Sequence, residues 1–213
     1  MAVPGGKYGD LRVDLLEIAR MVESGSRVLD IGCEEGALLD YLVHERRADA
    51  RGLEISQKGV NVCVARGLSV VQGDADADLV NYPNHAFDWV ILSQTIQATH
   101  RPREVLTEML RIGRRAIVSF PNFAYWRMRI LLLLFGRMPN TNTLPIPWYE
   151  TPNIHFCSIR DFKLLCDELD IVIERYVAID YRGRPRPAFS TLWMANFFGA
   201  EGLFVLRRKD DTP

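Results

Sequence analysis

The stretch RVLDIGCEEGALLDYL, residues 27–42, decides the fold. Its first six residues predict a short buried strand, and Leu38, Leu39 and Leu42 fall on one face of the helix that follows. Between the strand and the helix lies the loop Gly32–Gly36. Its glycines let the chain turn tightly and let a ligand approach the backbone and the helix N-terminus. The stretch therefore predicts a strand, a ligand-binding turn and a helix.

The same alternation of β-branched runs and helical stretches continues along the chain. Helices are predicted from about Pro102, over residues 123–135 and from Ser158 through about Leu169. Further strands are predicted at residues 51–55, 68–74, 87–93, 115–120, 171–179 and 202–208. This order is typical of a doubly wound α/β fold with a parallel sheet. We expect one domain over residues 1–213.

Composition narrows the class of protein. The chain has 213 residues, of which 48% are apolar and 25% are charged, so one domain can bury a substantial core. These values exclude a disordered chain, a collagen and a small disulfide scaffold. The 26 basic and 27 acidic side chains give a formal net charge of −1. That balance argues against nonspecific nucleic-acid binding, because such binding needs a basic excess.

The four cysteines predict reduced thiols rather than disulfides or a metal site. They are Cys33, Cys63, Cys157 and Cys166, and they form no CxxC pair and have no histidine cluster nearby. The longest apolar run, residues 130–135, is far shorter than the roughly 20 residues of a membrane span, and the N-terminus has no apolar signal region. We therefore expect a cytoplasmic protein with no metal and no membrane partner.

Acidic residues stand at the ends of three consecutive predicted strands. Asp30 ends the first, Glu54 the second and Asp74 the third. Ligands of open parallel sheets bind outside the carboxyl ends of the strands, and a carboxylate placed like Glu54 accepts hydrogen bonds from ribose hydroxyls. Any one of the three alone is more often a loop carboxylate that caps a helix. Three in order favour a nucleotide-type site.

At these residues the chain resembles the class I S-adenosylmethionine-dependent methyltransferases, whose first strand leads from an acidic residue into a glycine loop. The resemblance implies a Rossmann-like sheet of seven strands, mostly parallel with an antiparallel last strand, and helices on both faces. It also implies S-adenosylmethionine or S-adenosylhomocysteine as the ligand. The residues implied to hold the ligand are Asp30, Gly32, Cys33, Gly36, Glu54, Ile55, Asp74, Ala75 and Ser93.

A narrower resemblance, to the MetW family of methionine biosynthesis, runs over almost the whole chain. It rests on residues 27–42, on residues 91–129 with the strings SQT and SFPNF, and on residues 136–162 with the string WYETPNIH. This resemblance implies an accessory partner of homoserine O-acyltransferase, MetX, on a scaffold that senses S-adenosylmethionine or a related nucleoside. The alternative is an active methyltransferase that acts on a small molecule. A nicotinamide dehydrogenase is disfavoured because the loop lacks the G-x-G-x-x-G pattern.

The chain departs from the methyltransferase pattern at Glu34, where relatives usually carry a second loop glycine. A glutamate adds bulk and places a carboxylate near that of the cofactor, a repulsion on the order of 1 kcal/mol. Cofactor binding is therefore expected to be weakened. The alternative is that Glu34 points into solvent and stabilises the N-terminus of the following helix through the helix dipole.

Candidate substrate contacts follow the fourth and fifth strands. Residues 93–95 stand where amino-methylating relatives carry Asn or Asp before Pro-Pro and an aromatic residue, so methylation of amide or ring nitrogen by that mechanism is disfavoured. Gln94, Gln97 and Asn122 are candidates for contact with a small polar substrate, against the alternative of ordinary turn chemistry. The candidate catalytic residues are Gln94, Tyr149 and His155. A lone histidine has a suitable pKa but is more often a structural hydrogen-bonding residue.

An insertion after the fifth strand, about residues 123–157, has the length of a lid or binding loop. Its first part is a helix that is apolar nearly all round, which something must cover. We expect core burial under the rest of the insertion, and the alternative is an exposed patch that docks a partner. Residues 1–100 carry 9 basic and 15 acidic side chains, whereas residues 101–137 carry 8 arginines against Glu104 and Glu108. This arginine-rich segment is a candidate docking surface for an acidic partner or anionic substrate, or simply a solvated face.

Overall fold

One mixed sheet organises the chain. A computed structural model describes residue 8 and residues 11–141, 144–186 and 191–210. The strands are β1 Arg27–Ile31, β2 Asp49–Glu54, β3 Ser69–Gln72, β4 Phe87–Ser93, β5 Gly113–Pro121, β6 Ile171–Ile179 and β7 Glu201–Arg208. They form one sheet in the order β3-β2-β1-β4-β5-β7-β6. The predicted bounds of β4 and β6 are confirmed, and the other strands differ from prediction by at most two residues at either end.

Strand directions confirm the predicted fold class. β1 pairs in parallel with β2 and β4, β2 with β3, and β4 with β5. β7 lies between β5 and β6 and runs antiparallel to both. The sheet is therefore mostly parallel with an antiparallel last strand, as in the class I methyltransferase fold.

Seven helices accompany the sheet within the described ranges. They are α1 Val13–Met21, α2 Ala37–Arg46, α3 Gln57–Ala65, α4 Pro102–Ile112, α5 Trp126–Phe135, α6 Ile159–Glu168 and α7 Leu192–Phe198. The Oγ of Ser158 accepts the backbone N–H of Asp161 and caps α6, as the sequence predicts. Two short 3₁₀ turns lie at Leu79–Asn81 and Ile96–Ala98. None of the helices in these ranges has the length and apolar character that a membrane crossing requires.

Apolar side chains cover both faces of the sheet. On one face Leu106 of α4 and Phe162 of α6 are buried in a cluster with Phe204 of β7. On the other face Ile18 of α1 and Leu42 of α2 are fully buried in a second cluster. Burial of each such side chain stabilises the fold by roughly 1.5–3 kcal/mol. The helices thus hold the sheet from both sides and leave the carboxyl ends of its parallel strands open.

The direction of β7 brings one further acidic residue to this open edge. Glu201, the first residue of β7, pairs with Pro121 at the end of β5 and with Ile179 at the end of β6. An antiparallel strand begins where its parallel neighbours end. Glu201 therefore lies at the same edge as the strand-end carboxylates.

α5 is exposed, and the expectation that it is buried under the insertion is wrong. Met128 is buried, but Leu133, Leu134 and Phe135 are 83%, 69% and 66% exposed. The chain after α5 passes elsewhere: the backbone N–H groups of residues 154 and 155 both donate to the carbonyl oxygen of Gln97, at 2.9 and 3.0 Å. These bonds tie the end of the insertion to the turn after β4, so the insertion leaves most of α5 uncovered.

Candidate functional site

The loop between β1 and α2 turns through three left-handed residues. Gly32, Glu34 and Gly36 have φ angles of +71°, +50° and +76°. A Cβ atom on Gly32 would lie 2.7 Å from the Oγ1 of Thr95, and one on Gly36 would lie 2.7 Å from a methyl carbon of Leu68. Such φ angles cost other L-residues about 1–2 kcal/mol. Glu34 therefore occupies a backbone position suited to glycine.

Glu54, at the end of β2, fixes this loop. Its side chain is largely buried, and its Oε2 accepts the backbone N–H of Glu34 at 2.8 Å, while its Oε1 accepts that of Ser56 at 2.8 Å. The Oγ of Ser56 in turn accepts the N–H of Gly59 and caps α3. An ionised carboxylate has about four lone-pair sites, so two remain for a ligand. The predicted ribose-type carboxylate thus joins the glycine loop to the start of α3.

Two clefts open at this edge and share Gly32. The smaller, about 170 Å³, is called here the apolar cleft, and its lining includes Ile31, Leu53, Ile55, Ala75 and Ala98. The larger, about 360 Å³, is called the polar cleft, and its lining includes Arg12, Asp30, Cys33, Glu34 and Ser93. The two clefts therefore differ in chemistry: one is lined mainly by apolar side chains, and the other contains charged groups.

The apolar cleft brings together four of the predicted site residues, one of which is the shared Gly32. Ile55, Asp74 and Ala75 line it, and the side chain of Ile55 is 66% exposed. The Oδ1 of Asp74 accepts the N–H of Asp76 at 2.9 Å, and the Asp76 carboxylate accepts the N–H groups of residues 100 and 101, at 2.8 Å each. These bonds close the loop after β3 and tie it to the residues before α4.

Asp30 lies buried at the base of the polar cleft. It is 2% exposed, and its burial, reinforced by repulsion from Glu34, raises its pKa to about 8. Arg12 opposes this rise. The Asp30 carboxyl group is therefore protonated at neutral pH and able to donate a hydrogen bond.

Three residues that the sequence analysis did not identify complete the polar end of the site. The guanidinium of Arg12 donates to Asp14 Oδ2 at 2.9 Å and to Ser93 Oγ at 3.1 Å. Burial, and then repulsion from Asp14, raises the pKa of Glu201 to about 7, although Arg12 and a hydrogen bond with the Gln94 side chain lower it. The predicted antiparallel last strand was the available signal for Glu201, because it implies that β7 starts at this edge. Arg12 and Asp14 had no comparable signal, since α1 was not predicted.

Ser93, Gln94 and Cys33 lie at or beside the polar cleft. The Oγ of Ser93 donates to Asp14 Oδ2 at 3.3 Å and accepts from Ser119 Oγ at 3.2 Å. Gln94 has a φ of +48°, and its N–H donates to the Ser119 carbonyl at 2.8 Å. Burial raises the pKa of the Cys33 thiol, so this thiol is protonated rather than nucleophilic.

Asn122 does not face a substrate, which corrects the prediction from the sequence. It is fully buried, and its Nδ2 donates to the carbonyl oxygens of Asn196 and Gly199, at 2.9 and 2.7 Å. Its Oδ1 accepts the N–H groups of Ala124 and Ile159, at 3.1 and 3.4 Å. Asn122 thus joins the end of β5 to the starts of α6 and β7.

Gln97 is likewise a structural residue. It is 4% exposed, and its Nε2 donates to the carbonyl oxygen of Gln94 at 2.7 Å. Its own carbonyl oxygen holds the end of the insertion. Its side-chain Oε1 is buried and has no hydrogen-bond partner among the described residues, so this acceptor stays available, while Gln94 is the glutamine beside the polar cleft.

Tyr149 and His155 lie apart from both clefts. The Tyr149 side chain is 68% exposed and lines a separate cavity of about 540 Å³ within the insertion, with Trp148 and Phe156. The side chain of His155 is exposed, and its backbone N–H is one of the two that donate to Gln97. The structure therefore does not bring the three catalytic candidates, Gln94, Tyr149 and His155, into one site.

The described residues contain no group of three or more His, Cys, Asp or Glu side chains arranged to hold a metal ion. All four cysteines are free, and Cys33, Cys63 and Cys166 are buried.

Solved structures share the fold. A protein from Mesorhizobium loti, described as an S-adenosylmethionine-dependent methyltransferase, superposes with a TM-score of 0.68 over 93% of this chain and 99% of that one, at 16% identity. A protein from Archaeoglobus fulgidus with a similar description gives a TM-score of 0.65 over 95% of each chain, at 17% identity. At this level of identity the likeness shows the class I methyltransferase fold.

Two curated relatives are more similar in sequence. The bifunctional methionine biosynthesis protein MetXA/MetW of Rhodopirellula baltica is 36% identical over 179 residues, which are 80% of this chain and 29% of that protein. The fatty-acid O-methyltransferase of Mycolicibacterium smegmatis is 38% identical over 95 residues, which are 42% of this chain and 34% of that protein. This chain thus matches about a third of the length of each relative.

A family profile covers nearly the whole chain. The profile described as methionine biosynthesis protein MetW matches residues 12–206, a range that holds the glycine loop, the strand-end carboxylates and the insertion. Together with the 36% identity to the MetXA/MetW protein, this match confirms the resemblance drawn from the sequence. The chain belongs to the MetW family of methionine biosynthesis proteins.

Proposed function

We propose that this protein acts in methionine biosynthesis as an accessory partner that activates homoserine O-acyltransferase, MetX. One observation carries the proposal: the name of the relative from Rhodopirellula baltica joins MetXA and MetW in a single polypeptide. Fusion holds two modules at a high effective concentration. Where MetX and MetW are separate chains, they must form a complex to reach the same proximity. In this proposal the present chain is the MetW member of that complex.

In this proposal the two clefts bind S-adenosylmethionine or S-adenosylhomocysteine. An adenine ring fits against Ile55 and Ala75 in the apolar cleft, with Asp74 at its edge. The free lone pairs of Glu54 accept the ribose hydroxyls, and Arg12 and the protonated Asp30 face the amino-acid end. S-adenosylmethionine supplies an electrophilic methyl group when bound, and it also carries the methionine skeleton. A scaffold that binds it therefore responds to a derivative of methionine, the amino acid that this pathway makes.

The substrate side of the site favours an accessory role over catalysis. Asn122, one of the predicted substrate contacts, uses both polar atoms of its side chain in hydrogen bonds within the fold. Tyr149 and His155 lie outside both clefts. Glu34 stands in a left-handed position where active methyltransferases usually have glycine, and it lines the polar cleft. Ligand sensing needs only the proposed nucleoside contacts, which are Ile55 and Ala75 in the apolar cleft and the free lone pairs of Glu54.

The second candidate function is methyl transfer to a small molecule. It is supported by the 38% identity to a fatty-acid O-methyltransferase and by Glu201, whose pKa of about 7 suits general acid–base chemistry. Incubation with S-adenosylmethionine and candidate acceptors tests it. Sustained release of S-adenosylhomocysteine, abolished by Glu201→Gln, would support this reading; the accessory role predicts no turnover.

Complex formation tests the accessory proposal. Size-exclusion chromatography of the chain mixed with the purified acyltransferase of the same organism is expected to give one co-eluting species. Calorimetric titration of the chain with S-adenosylhomocysteine is expected to show saturable binding. If the two proteins elute separately at all concentrations, the accessory role is wrong, whatever the outcome of the titration.

A further inference from the structure

α5 and the loop after it carry a patch of exposed apolar side chains. The members, each at least 45% exposed, are Leu132, Leu133, Leu134, Phe135, Met138 and Trp148, and they are called here the α5 patch. Single exposed leucines are ordinary on protein surfaces. Six large apolar side chains on one helix end and its adjoining loop mark a contact surface.

The α5 patch adjoins a cavity. Gly136, which ends α5 in a left-handed conformation, and Met138 and Trp148 belong to the lining of the 540 Å³ cavity in the insertion. A concave site with aromatic walls next to a flat apolar helix suits an anchoring side chain from another protein. Helices that bind membrane surfaces instead combine one apolar face with a charged face. The apolar side chains of α5 lie all round the helix, so the patch favours a protein partner.

Arginines flank the α5 patch, and they differ from the others of the arginine-rich segment. Four arginines of residues 101–115 form ion pairs within the fold: Arg103 with Glu168, Arg111 with Glu108, Arg114 with Asp88 and Arg115 with Glu174. Arg127, Arg129 and Arg137 are exposed, and the described part of the chain shows no ion pair for them. Arg127 lies over the ring of Tyr181 and Arg129 over that of Phe197, so both keep an unpaired charge at the surface. The guanidinium of Arg101 donates to the carbonyl oxygen of Asp76. The docking surface expected over residues 101–137 therefore narrows to the three exposed arginines of α5 and the loop after it.

The charge of the patch argues against a second copy of this chain as its occupant. Residues 126–156 contain three arginines and one acidic residue, Glu150. A two-fold interface brings the same surface together from both copies, so these arginines would face one another. The complementary surface is apolar with carboxylates around it.

We infer that the α5 patch, together with the exposed Arg127 and Arg129 of α5 and with Arg137 in the cavity lining, is the surface that docks the homoserine O-acyltransferase, which places an apolar side chain in the 540 Å³ cavity and carboxylates against the arginines. The inference rests on the proposed function and names the surface of this chain that contacts the acyltransferase. The nucleoside clefts lie at the open edge of the sheet, so the interface and the ligand site use different residues.

Binding measurements on surface variants test the inference. Leu133→Glu places a charge in the centre of the patch at a residue that is 83% exposed, and Val64→Glu, at 57% exposure on α3, is the matched control. With the acyltransferase immobilised, Leu133→Glu is expected to raise Kd at least about tenfold, whereas Val64→Glu leaves it unchanged. Arg137→Glu is expected to weaken binding and to flatten its dependence on salt. Thermal unfolding and S-adenosylhomocysteine binding of each variant check that the fold is intact.

The possible results distinguish an error in the inferred interface from an error in the proposed function. Equal affinities of wild type and Leu133→Glu would overturn the inference and leave the accessory role standing. Absence of any complex with wild type would overturn both. Two other results would also contradict the inference. If sedimentation shows that the chain alone forms a dimer and that Leu133→Glu breaks it, the patch binds a second copy. If the chain binds phosphatidylglycerol vesicles and Leu133→Glu does not, the patch binds a membrane.

Discussion

The carboxylate of Glu54 accepts the backbone N–H of Glu34 at 2.8 Å. This bond holds a non-glycine residue in the left-handed conformation, with a φ of +50°. It links the end of β2 to the loop that follows β1, so one buried side chain sets the shape of the loop that separates the two clefts. The ligand site and the stability of the loop therefore depend on the same carboxylate.

Glu54→Gln is expected to lower both stability and ligand affinity. An amide keeps one acceptor oxygen but turns an N–H₂ group towards one of the two backbone donors. The free energy of unfolding should fall by about 1–3 kcal/mol. The affinity for S-adenosylhomocysteine should fall at least about tenfold. Denaturant unfolding and calorimetry measure these changes, with the exposed Glu45→Gln as control; an unchanged affinity would remove Glu54 from the ligand site.

Glu34→Gly is expected to tighten the binding of S-adenosylhomocysteine. Glycine adopts the observed φ without strain and removes a carboxylate from the polar cleft. Glu34→Ala removes the same charge but keeps the Cβ atom, so the pair of variants separates backbone strain from repulsion. Calorimetric titration of both decides the question. Wild-type affinity in both variants would mean that the Glu34 side chain points away from the ligand.

Asp30→Asn is expected to remove a pH dependence of stability. The pKa of Asp30 is about 8 in the folded protein and about 3.9 in the unfolded chain. Between these values the unfolded chain alone loses the proton, so wild type loses about 1.4 kcal/mol per pH unit relative to the variant as the pH rises. Below pH 4 and above pH 8 the unfolding free energies of wild type and variant should change with pH in parallel, because Asp30 then has the same charge in the folded and unfolded chains.

Denaturant unfolding from pH 5 to pH 9 measures this difference. Glu201→Gln should also reduce the pH dependence of stability, because burial raises the pKa of Glu201 to about 7. The contribution of Glu201 to the change in unfolding free energy therefore ends near pH 7. Parallel stability profiles of wild type and Asp30→Asn would mean that Asp30 is ionised in the folded protein.

Asn122→Ala is expected to destabilise the fold. The change removes the partner of two carbonyl oxygens and two N–H groups, of which the Gly199 carbonyl and the Ile159 N–H are buried, and this costs about 3 kcal/mol. Binding of S-adenosylhomocysteine by the folded protein should not change, since Asn122 lies outside both clefts. Chemical unfolding and calorimetry test this, with the exposed Asn140→Ala as control. A loss of ligand binding at full stability would restore Asn122 to the site.

Local patterns predicted most of the sheet. β4 and β6 are runs of apolar and β-branched residues, and their ends agree with the structure. α1 was missed because Asp14 and Glu17 are buried on its inner face, which breaks the apolar pattern, and because Arg12 supplies no side-chain cap. α7 has seven residues, too few for helical periodicity to stand out.

The sequence predicted those residues of the candidate site whose position depends on a single strand. Asp30, Glu54 and Asp74 follow from the rule that ligands meet the ends of parallel strands. Glu201 depends on the direction of β7, and the role of Asn122 depends on partners 74 and 77 residues further along the chain. Those relationships arise only when distant segments meet.

The exposure of α5 was mispredicted for a similar reason. Apolar residues all round a helix indicate that something covers it, but they do not say whether the cover belongs to the same chain. The path of the insertion, which the backbone hydrogen bonds to Gln97 fix, determines that α5 stays exposed. The pattern of apolar residues in the sequence does not indicate this path.

The central claim is that this protein activates the acyltransferase. The most direct test is the rate of homoserine acylation by the purified acyltransferase of the same organism, measured as this chain is titrated in, with and without S-adenosylmethionine. The account predicts a rate that rises several-fold, levels off once the chain is stoichiometric, and shifts with the nucleoside. A rate that stays the same at every ratio of the two proteins would contradict it.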